Sequence, residues 1–219
     1  LLRARIDQAY GIGDYAEVLA RAEALMALVD AWPGAGDDDR LRAHADLALG
    51  LMTQRRHADA VRHFDAVIEH RRRQSGGGSL AVARSQANAA TNDLYLGEFA
   101  RARARLDSAL ATYDQLFDAP APIRATGRLI LSMLLTRQGQ FEAAAEALSA
   151  SMEEYAPTVG HPDGTWAMAP YHHALLHAAA GRHAEAEAAA AASLRLMLDD
   201  PDGYPADQPA MRALLARLA

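Results

Sequence analysis

The short sequence Gly97-Glu98-Phe99-Ala100 decides the fold, because versions of it return along the chain at a constant interval. A degenerate version without the glycine, Arg55-Arg56-His57-Ala58, keeps the same register. The other copies are Gly13-Asp14-Tyr15-Ala16, Gly139-Gln140-Phe141-Glu142 and Gly181-Arg182-His183-Ala184. The first residues, at 13, 55, 97, 139 and 181, are each 42 positions apart. Five copies in one register predict an array of structural repeats.

Each repeat is interpreted as two helices joined by this turn. Glycine suits the turn because it adopts a positive φ without a steric penalty from a Cβ atom. Around Gly97 we expect helices over 80–96 and 100–117. Five positions beyond the turn we expect closely packed side chains, and nine positions beyond it a buried column. The first set is Val18, Ala60, Ala102, Ala144 and Ala186, and the second is Ala22, Phe64, Leu106, Leu148 and Ala190.

Glycine- and proline-rich breaks separate the repeats and predict a single repeat domain over 1–219. Its units are expected at 1–36, 37–78, 79–120, 121–162 and 163–204, followed by a capping helix at 207–218. Asp39, Ser79 and Asp163 are the expected helix caps. Gly76-Gly77-Gly78 is interpreted as an ordinary loop between repeats, because the 42-residue interval crosses it unbroken.

The composition favours closely packed helices and excludes several chemistries. Of the 219 residues 52 are alanine, the strongest helix former, and β-branched residues are sparse. The chain has no cysteine, which excludes disulfides and thiolate chemistry. It also has no lysine, since all 22 basic residues are arginine, which excludes Schiff-base catalysis and the nucleotide-binding lysines. An enzyme is therefore not expected.

The overall charge argues against polyanionic partners. The formal net charge is -6 and the isoelectric point is near 5.8, so we expect neither nucleic acid nor an anionic membrane as a partner. No apolar stretch approaches the ~20 residues of a membrane span. The chain begins with Leu1 rather than methionine, so we expect it to be a piece of a longer protein, in the cytoplasm.

The Gly-x-aromatic-Ala turns, with alanine at the next helical contact, resemble the tetratricopeptide repeat. The segment 181–187, preceded by His161-Pro162-Asp163, is similar to the 42-residue variety found in kinesin light chains and many bacterial signalling proteins. The resemblance implies an all-α, right-handed superhelix whose first helices line a groove that binds protein or peptide without catalysis. Asp93 and His177 depart from the pattern, since they stand where large apolar residues are usual.

If the first helices line a groove, its stripe recurs at i, i+4, i+7 and i+11. In the third unit the stripe is Arg84, Asn88, Thr91 and Tyr95. The equivalent residues elsewhere are Arg42, Asp46, Leu49 and Thr53, then Thr126, Ile130, Met133 and Arg137, then Met168, His172, Leu175 and Ala179.

This groove is predicted to be polar near its start and apolar near its end. Arg42 and Arg84 together are candidates for holding a carboxylate of a peptide. Ile130 and Met133 are candidates for accepting an apolar anchor. The alternatives are solvated arginines on an exposed face, packing roles for Ile130 and Met133, and an ordinary packing role for Tyr95.

The histidines of the last unit are the most tempting metal ligands. His173 and His177 share a helix face at the spacing of a zinc pair, but the sequence shows no third ligand. We therefore predict no metal site, no cofactor and no catalytic residue. The basic run at 70–73 and the acidic run at 37–39 are interpreted as charges that offset helix dipoles.

Recognition of a protein, a peptide or an adjoining domain is the predicted function, within a larger bacterial signalling or transcription-control protein. Two alternatives remain open. One is a small-ligand sensor with a pocket near Met133, Met168 and His172. The other is a self-association module that uses the last unit and its capping helix.

Overall fold

A computed structural model of the chain describes residues 2–11, 13–75, 78–155, 164–199 and 208–218, and these residues form α-helices and no strand. The helices are α1 (Leu2–Gly11), α2 (Tyr15–Ala31), α3 (Asp37–Thr53), α4 (His57–Ser75), α5 (Leu80–Leu96), α6 (Phe99–Leu116), α7 (Pro122–Arg137), α8 (Phe141–Tyr155), α9 (Gly164–Ala179), α10 (His183–Asp199) and α11 (Gln208–Leu218).

Every copy of the repeated turn adopts the same backbone conformation. The four glycines that begin a copy have φ between 73° and 79°. Arg55, which begins the degenerate copy, has φ 58° and is the one non-glycine residue with positive φ in the described part of the chain. In each copy the next amide donates to the carbonyl five residues earlier, as Glu98 does to Asp93 at 2.9 Å. This bond is the 6→1 bond of the Schellman motif, which ends one helix and directs the chain into the next.

The prediction of five helical hairpins followed by a terminal helix is confirmed. The helix expected over 80–96 is Leu80–Leu96, and the one expected over 100–117 is Phe99–Leu116. The expected capping helix is Gln208–Leu218. The regularity of the turns therefore fixed the helix positions closely.

The helix caps are confirmed at one site and corrected at another. Ser79 caps α5, and its hydroxyl accepts from the Val82 amide at 3.3 Å. The expectation for Asp39 is wrong, because α3 already begins at Asp37 with Gly36 as its N-cap. The Asp39 carboxylate instead accepts the Gly36 amide at 3.1 Å, which also stabilises the helix start. Asp163 lies outside the described residues.

Both predicted columns are buried throughout. The five side chains at the close-packing position have no exposed surface. The five at the next position are at most 1% exposed. The alanines let paired helices approach closely, while Phe64, Leu106 and Leu148 fill wider spaces between helices.

Residues 1–116 form one compact unit, in which each of the helices α1 to α6 packs against the next. Its core includes a cluster around Phe64 and Leu51, between the second and third hairpins, and a smaller one around Val18 and Ile6.

Residues 117–219 form a second compact unit. There α7 packs against α8 and α9, α9 against α10, and α10 against α11. The terminal helix buries Met211 and Leu214 in a cluster with Ala174 and Ala190, so it covers the last hairpin. This arrangement matches the capping role expected for the end of a repeat array.

Candidate binding surface

The open face of α5 is a single narrow line of side chains. From Val82 to Leu94 all residues are buried except Arg84, Asn88 and Thr91, and Tyr95 follows with 47% of its surface exposed. These four residues, called the α5 stripe below, have the predicted spacing. The other residues from 82 to 94 are buried because α4 and α6 pack against the helix, while Leu80, Ala81 and Leu96 are exposed at its two ends. Between residues 82 and 95 the stripe is therefore the part of α5 that a partner can reach.

Two arginines stand on these first helices without a carboxylate partner. Arg84 on α5 and Arg42 on α3 are exposed, and neither has an ion pair among the residues that the structure describes. Arg84 acts electrostatically on the buried Tyr113: burial raises the pKa of that phenol to about 12, and the arginine charge opposes part of the rise. Both guanidinium groups can thus take an anionic ligand without breaking a bond.

A stacked aromatic pair marks the end of the α5 stripe. The rings of Tyr95 and His57 are 4.7 Å apart between centroids and 10° from parallel. His57 Nδ1 lies 2.9 Å from Oδ1 of the buried Asn92, so this ring nitrogen donates the hydrogen bond. Asn92 in turn donates to the Asn88 carbonyl at 2.8 Å. The histidine is thereby held flat against the tyrosine, and the two stacked rings are called the Tyr95–His57 platform below.

Sequence reasoning named Tyr95 but missed His57. The signal was present, since His57 occupies the aromatic position of the degenerate turn copy, where Phe99 stands in the third hairpin. A residue in the repeated turn is expected to have a role in folding, so the motif does not predict a role in binding.

On α3 the predicted stripe is only partly open. Arg42 is exposed, but Asp46 is buried, with Oδ2 at 3.7 Å from Arg3 Nε of α1. Burial raises the pKa of Asp46, while Arg3 and Arg42 act in the opposite direction. Thr53 is half-buried and donates to the Gly50 carbonyl at 2.7 Å. Asp46 therefore belongs to the contact between the first and second hairpins, because α1 covers it.

In the second compact unit the stripe residues differ in accessibility. Ile130 is buried, Met133 is half-buried and Arg137 is exposed. Ile130 therefore packs inside the unit. His172 is partly buried on α9, and burial lowers its pKa to about 4. Met168 lies in α9, but its side chain is outside the described part of the structure.

The acidic and basic runs, which the sequence presents far apart, meet in the second hairpin. Asp37 Oδ2 lies 3.4 Å from His70 Nε2, and Asp38 Oδ1 lies 3.1 Å from Arg71 Nη1. The start of α3 and the end of α4 are thus joined by charge. This pairing engages two residues of the basic run, which further weakens any case for a nucleic-acid contact there.

Within the described residues no group of three or more histidine or acidic side chains is arranged for a metal ion. The described helices also include none that is long and apolar enough to cross a membrane.

Consecutive helical hairpins in one register define an α-helical repeat protein. A family model described as tetratricopeptide repeat matches residues 39–115, the second and most of the third hairpin. Over these residues the chain therefore matches the tetratricopeptide repeat. Such repeats generally mediate protein–protein interaction and are typically non-catalytic.

Solved structures extend the likeness to most of the chain. BtubC (BKLC) from P. vanneervenii is 17% identical, with a TM-score of 0.68 over 91% of this chain and 80% of its own. TPR-like repeats from a Podosopora anserina protein assigned as a kinesin light chain are 19% identical, with a TM-score of 0.65 over 91% of this chain and 96% of theirs. The TM-scores show a shared fold, and at such low identity the likeness shows no more than the fold. No curated protein sequence matches the chain.

Proposed function

We propose that this chain is a protein- or peptide-binding module, and that in residues 1–116 its contact surface is the α5 stripe together with Arg42. The observation that carries the proposal is the exposure pattern of α5 between residues 82 and 95, where four side chains at helical spacing are exposed or partly exposed and the others are buried. A binding surface needs side chains that are accessible to solvent, because the buried side chains already contact other parts of the protein.

The chemistry of this surface favours an extended segment that carries a carboxylate. Arg84 and Tyr95 are 11 residues apart, or about 16 Å along the helix. About five residues of extended peptide cover that length. Arg42 and Arg84 supply unpaired guanidinium groups, which form strong charge-assisted bonds with carboxylates. The Tyr95–His57 platform offers a flat apolar surface at the other end.

The wider context is part of the proposal and depends on the family resemblance. We propose that the module serves a larger bacterial signalling or transcription-control protein, in the cytoplasm, and that the five units act as one repeat domain. The fold alone does not define a partner, so the binding experiment has to identify the ligand chemistry.

The two alternatives have less support from the described residues. Self-association through the last unit needs a free apolar face there, and α11 already buries Met211 and Leu214 against the last hairpin. For a small-ligand pocket near Met133 and His172, the supporting observation is that both side chains are half-buried.

A selection experiment tests the peptide-binding proposal directly. Binders are selected from a display library of random twelve-residue peptides, and their Kd values are measured by fluorescence anisotropy. We expect selected peptides to carry Asp, Glu or a free C-terminus, and the R42A/R84A double variant to bind them at least about tenfold more weakly. Failure to select any peptide would count against the proposal.

A matched control separates a specific contact from a general charge effect. The R72A/R103A variant also removes two exposed arginines from the second and third hairpins, but from their second helices. We expect it to change the Kd by less than about twofold. Equal losses in both variants would show that net charge, and not the proposed surface, determines binding.

A further inference from the structure

Near its C-terminal end α9 carries a half-buried histidine with one buried ring nitrogen that has no hydrogen-bond partner in the described part of the chain. His177 Nδ1 is buried, and no group in the described part of the chain bonds to it. A buried polar atom left in this state destabilises the fold, because it has lost its hydrogen bonds to water without replacing them. Such an atom requires an explanation, and an absent ligand is one of the recognised explanations.

A second histidine and a methionine lie beside it. His173 is one helical turn earlier, and its ring centroid is 6.2 Å from that of His177, with the planes 22° apart. His173 Nε2 lies 3.1 Å from Sδ of Met152 on α8. Two imidazole rings and one thioether, from two adjacent helices, therefore share a small half-buried region.

The donor set indicates which ion it suits. Thioether sulfur is a soft ligand that selects Cu(I), and imidazole binds copper as well. Calcium and magnesium require oxygen ligands, and structural zinc sites use four donors that commonly include thiolates or carboxylates. All three donors here are uncharged, so a divalent ion would keep its full charge in a partly desolvated place. A monovalent ion is disfavoured far less.

We propose that Met152, His173 and His177 form a binding site for a soft monovalent metal ion, Cu⁺, for which Ag⁺ is a redox-inert substitute. No acidic residue takes part, and the third donor is the thioether of Met152.

The Met152–His173 pair needs only a small adjustment to hold the ion. With bonds of about 2.0 Å to nitrogen and 2.3 Å to sulfur, a tetrahedral angle separates the two donors by about 3.5 Å. The observed Met152–His173 separation is 3.1 Å, so the side chains move apart by a few tenths of an ångström. Methionine has three rotatable bonds and adapts readily. All three side chains are partly exposed, which gives the ion a route from solvent.

Silver binding to the full chain, in chloride-free buffer, tests the site. We expect one equivalent of Ag⁺ to raise the Tm of the wild type and to shift one methionine methyl resonance in a carbon–proton NMR spectrum. The M152L variant keeps the side-chain volume but removes the sulfur, and it should bind Ag⁺ at least about tenfold more weakly. H177L should show a similar loss.

Matched controls are available elsewhere in the chain. M133L removes a half-buried thioether from α7, and H183L removes an exposed imidazole from α10. Neither should change Ag⁺ affinity by more than about twofold. Unchanged binding in M152L and H177L would overturn the proposal, and so would equal losses in the controls.

A spectroscopic measurement keeps the proposal testable even where a variant fails to fold. Cu⁺ is added to the wild-type chain under anaerobic conditions, and the copper edge is measured by X-ray absorption. We expect nitrogen scatterers near 2.0 Å and one sulfur scatterer near 2.3 Å. A spectrum with nitrogen ligands alone would assign the ion to another histidine pair, such as His44 and His63, whose Nδ1 atoms are 2.8 Å apart, and would overturn the assignment.

Discussion

The third and fifth hairpins treat the same repeat position in opposite ways. Asp93 and His177 are 84 residues apart in the sequence. The backbone carbonyl of each accepts the hydrogen bond from the amide five residues later that closes the turn. Asp93 has no exposed surface, yet Arg101 Nη2 lies 2.7 Å from Oδ1 and Arg105 Nε lies 2.8 Å from Oδ2. The ring of His177 has no such partner for Nδ1. The positions equivalent to the two arginines hold Glu185 and Ala189.

The repeat backbone therefore accepts a polar side chain at a core position. The residues on the second helix of the same hairpin determine whether that side chain has a partner, and so how much its burial destabilises the fold. Arg105 also joins two hairpins, since its Nη1 and Nη2 atoms donate to Asp65 on α4 at 2.6 and 3.1 Å. In the third hairpin the unusual aspartate is therefore part of a network of ion pairs with Arg101 and Arg105. The fifth hairpin leaves its departure unsatisfied, which is the basis of the proposed ion site.

The largest expected effect comes from removing the charge of Asp93. We expect D93L, which installs the residue found at positions 51 and 135, to lower the free energy of unfolding by about 3 kcal/mol. The loss arises because two arginines then face a buried apolar group. Urea denaturation followed by circular dichroism measures it.

The control for this prediction is D107L, which removes an exposed aspartate paired with Arg103 on α6. Exposed pairs contribute little, so the change should stay below about 0.5 kcal/mol. A D93L variant as stable as the wild type would show that the network contributes nothing to folding.

The reciprocal substitution in the fifth hairpin should have the opposite sign. In chelator-treated protein we expect H177L to raise the free energy of unfolding by about 1 kcal/mol, because it removes a buried unpaired nitrogen. The same denaturation experiment measures the change. Destabilisation would mean that His177 is satisfied in solution, and the contrast between the two hairpins would disappear.

The last effect, of similar size, concerns the turns, where Arg55 of the second hairpin stands in the place of Gly97 of the third. Arg55 adopts φ 58°, which is unfavourable for any residue with a Cβ atom, so R55G should stabilise the chain by about 1 kcal/mol. G97A should destabilise it by a similar amount. A Cβ atom on Gly97 meets nothing within 4 Å, so that cost is conformational alone. Equal thermal stability of both variants would contradict this account.

Much of the candidate surface was also predictable. The α5 stripe followed from the 3.6-residue period applied to one helix, because between residues 82 and 95 that helix is covered on both sides and one line of residues stays accessible. The same rule was less successful on α3, since Asp46 faces α1 and is buried. On α7 Ile130 is buried as well. Transferring positions between repeats ignores differences in the neighbouring helices.

The periodicity of the sequence does not predict contacts between side chains of different helices. The stacking of His57 on Tyr95, the pairing of Asp37 with His70 and the approach of Met152 to His173 each join residues of two different helices. Periodicity places a residue on a face of its own helix. It does not specify which rotamer on the adjoining helix meets it.

By itself the sequence determined the helical hairpins, their boundaries and the two buried columns, because one local turn with a positive φ recurs every 42 residues and local backbone energetics act within a few residues. Only the tertiary structure decided which polar side chains are neutralised, which are left unpaired and which remain open to a partner. Those outcomes depend on distances between side chains of different helices, where a shift of one ångström makes or removes a bond.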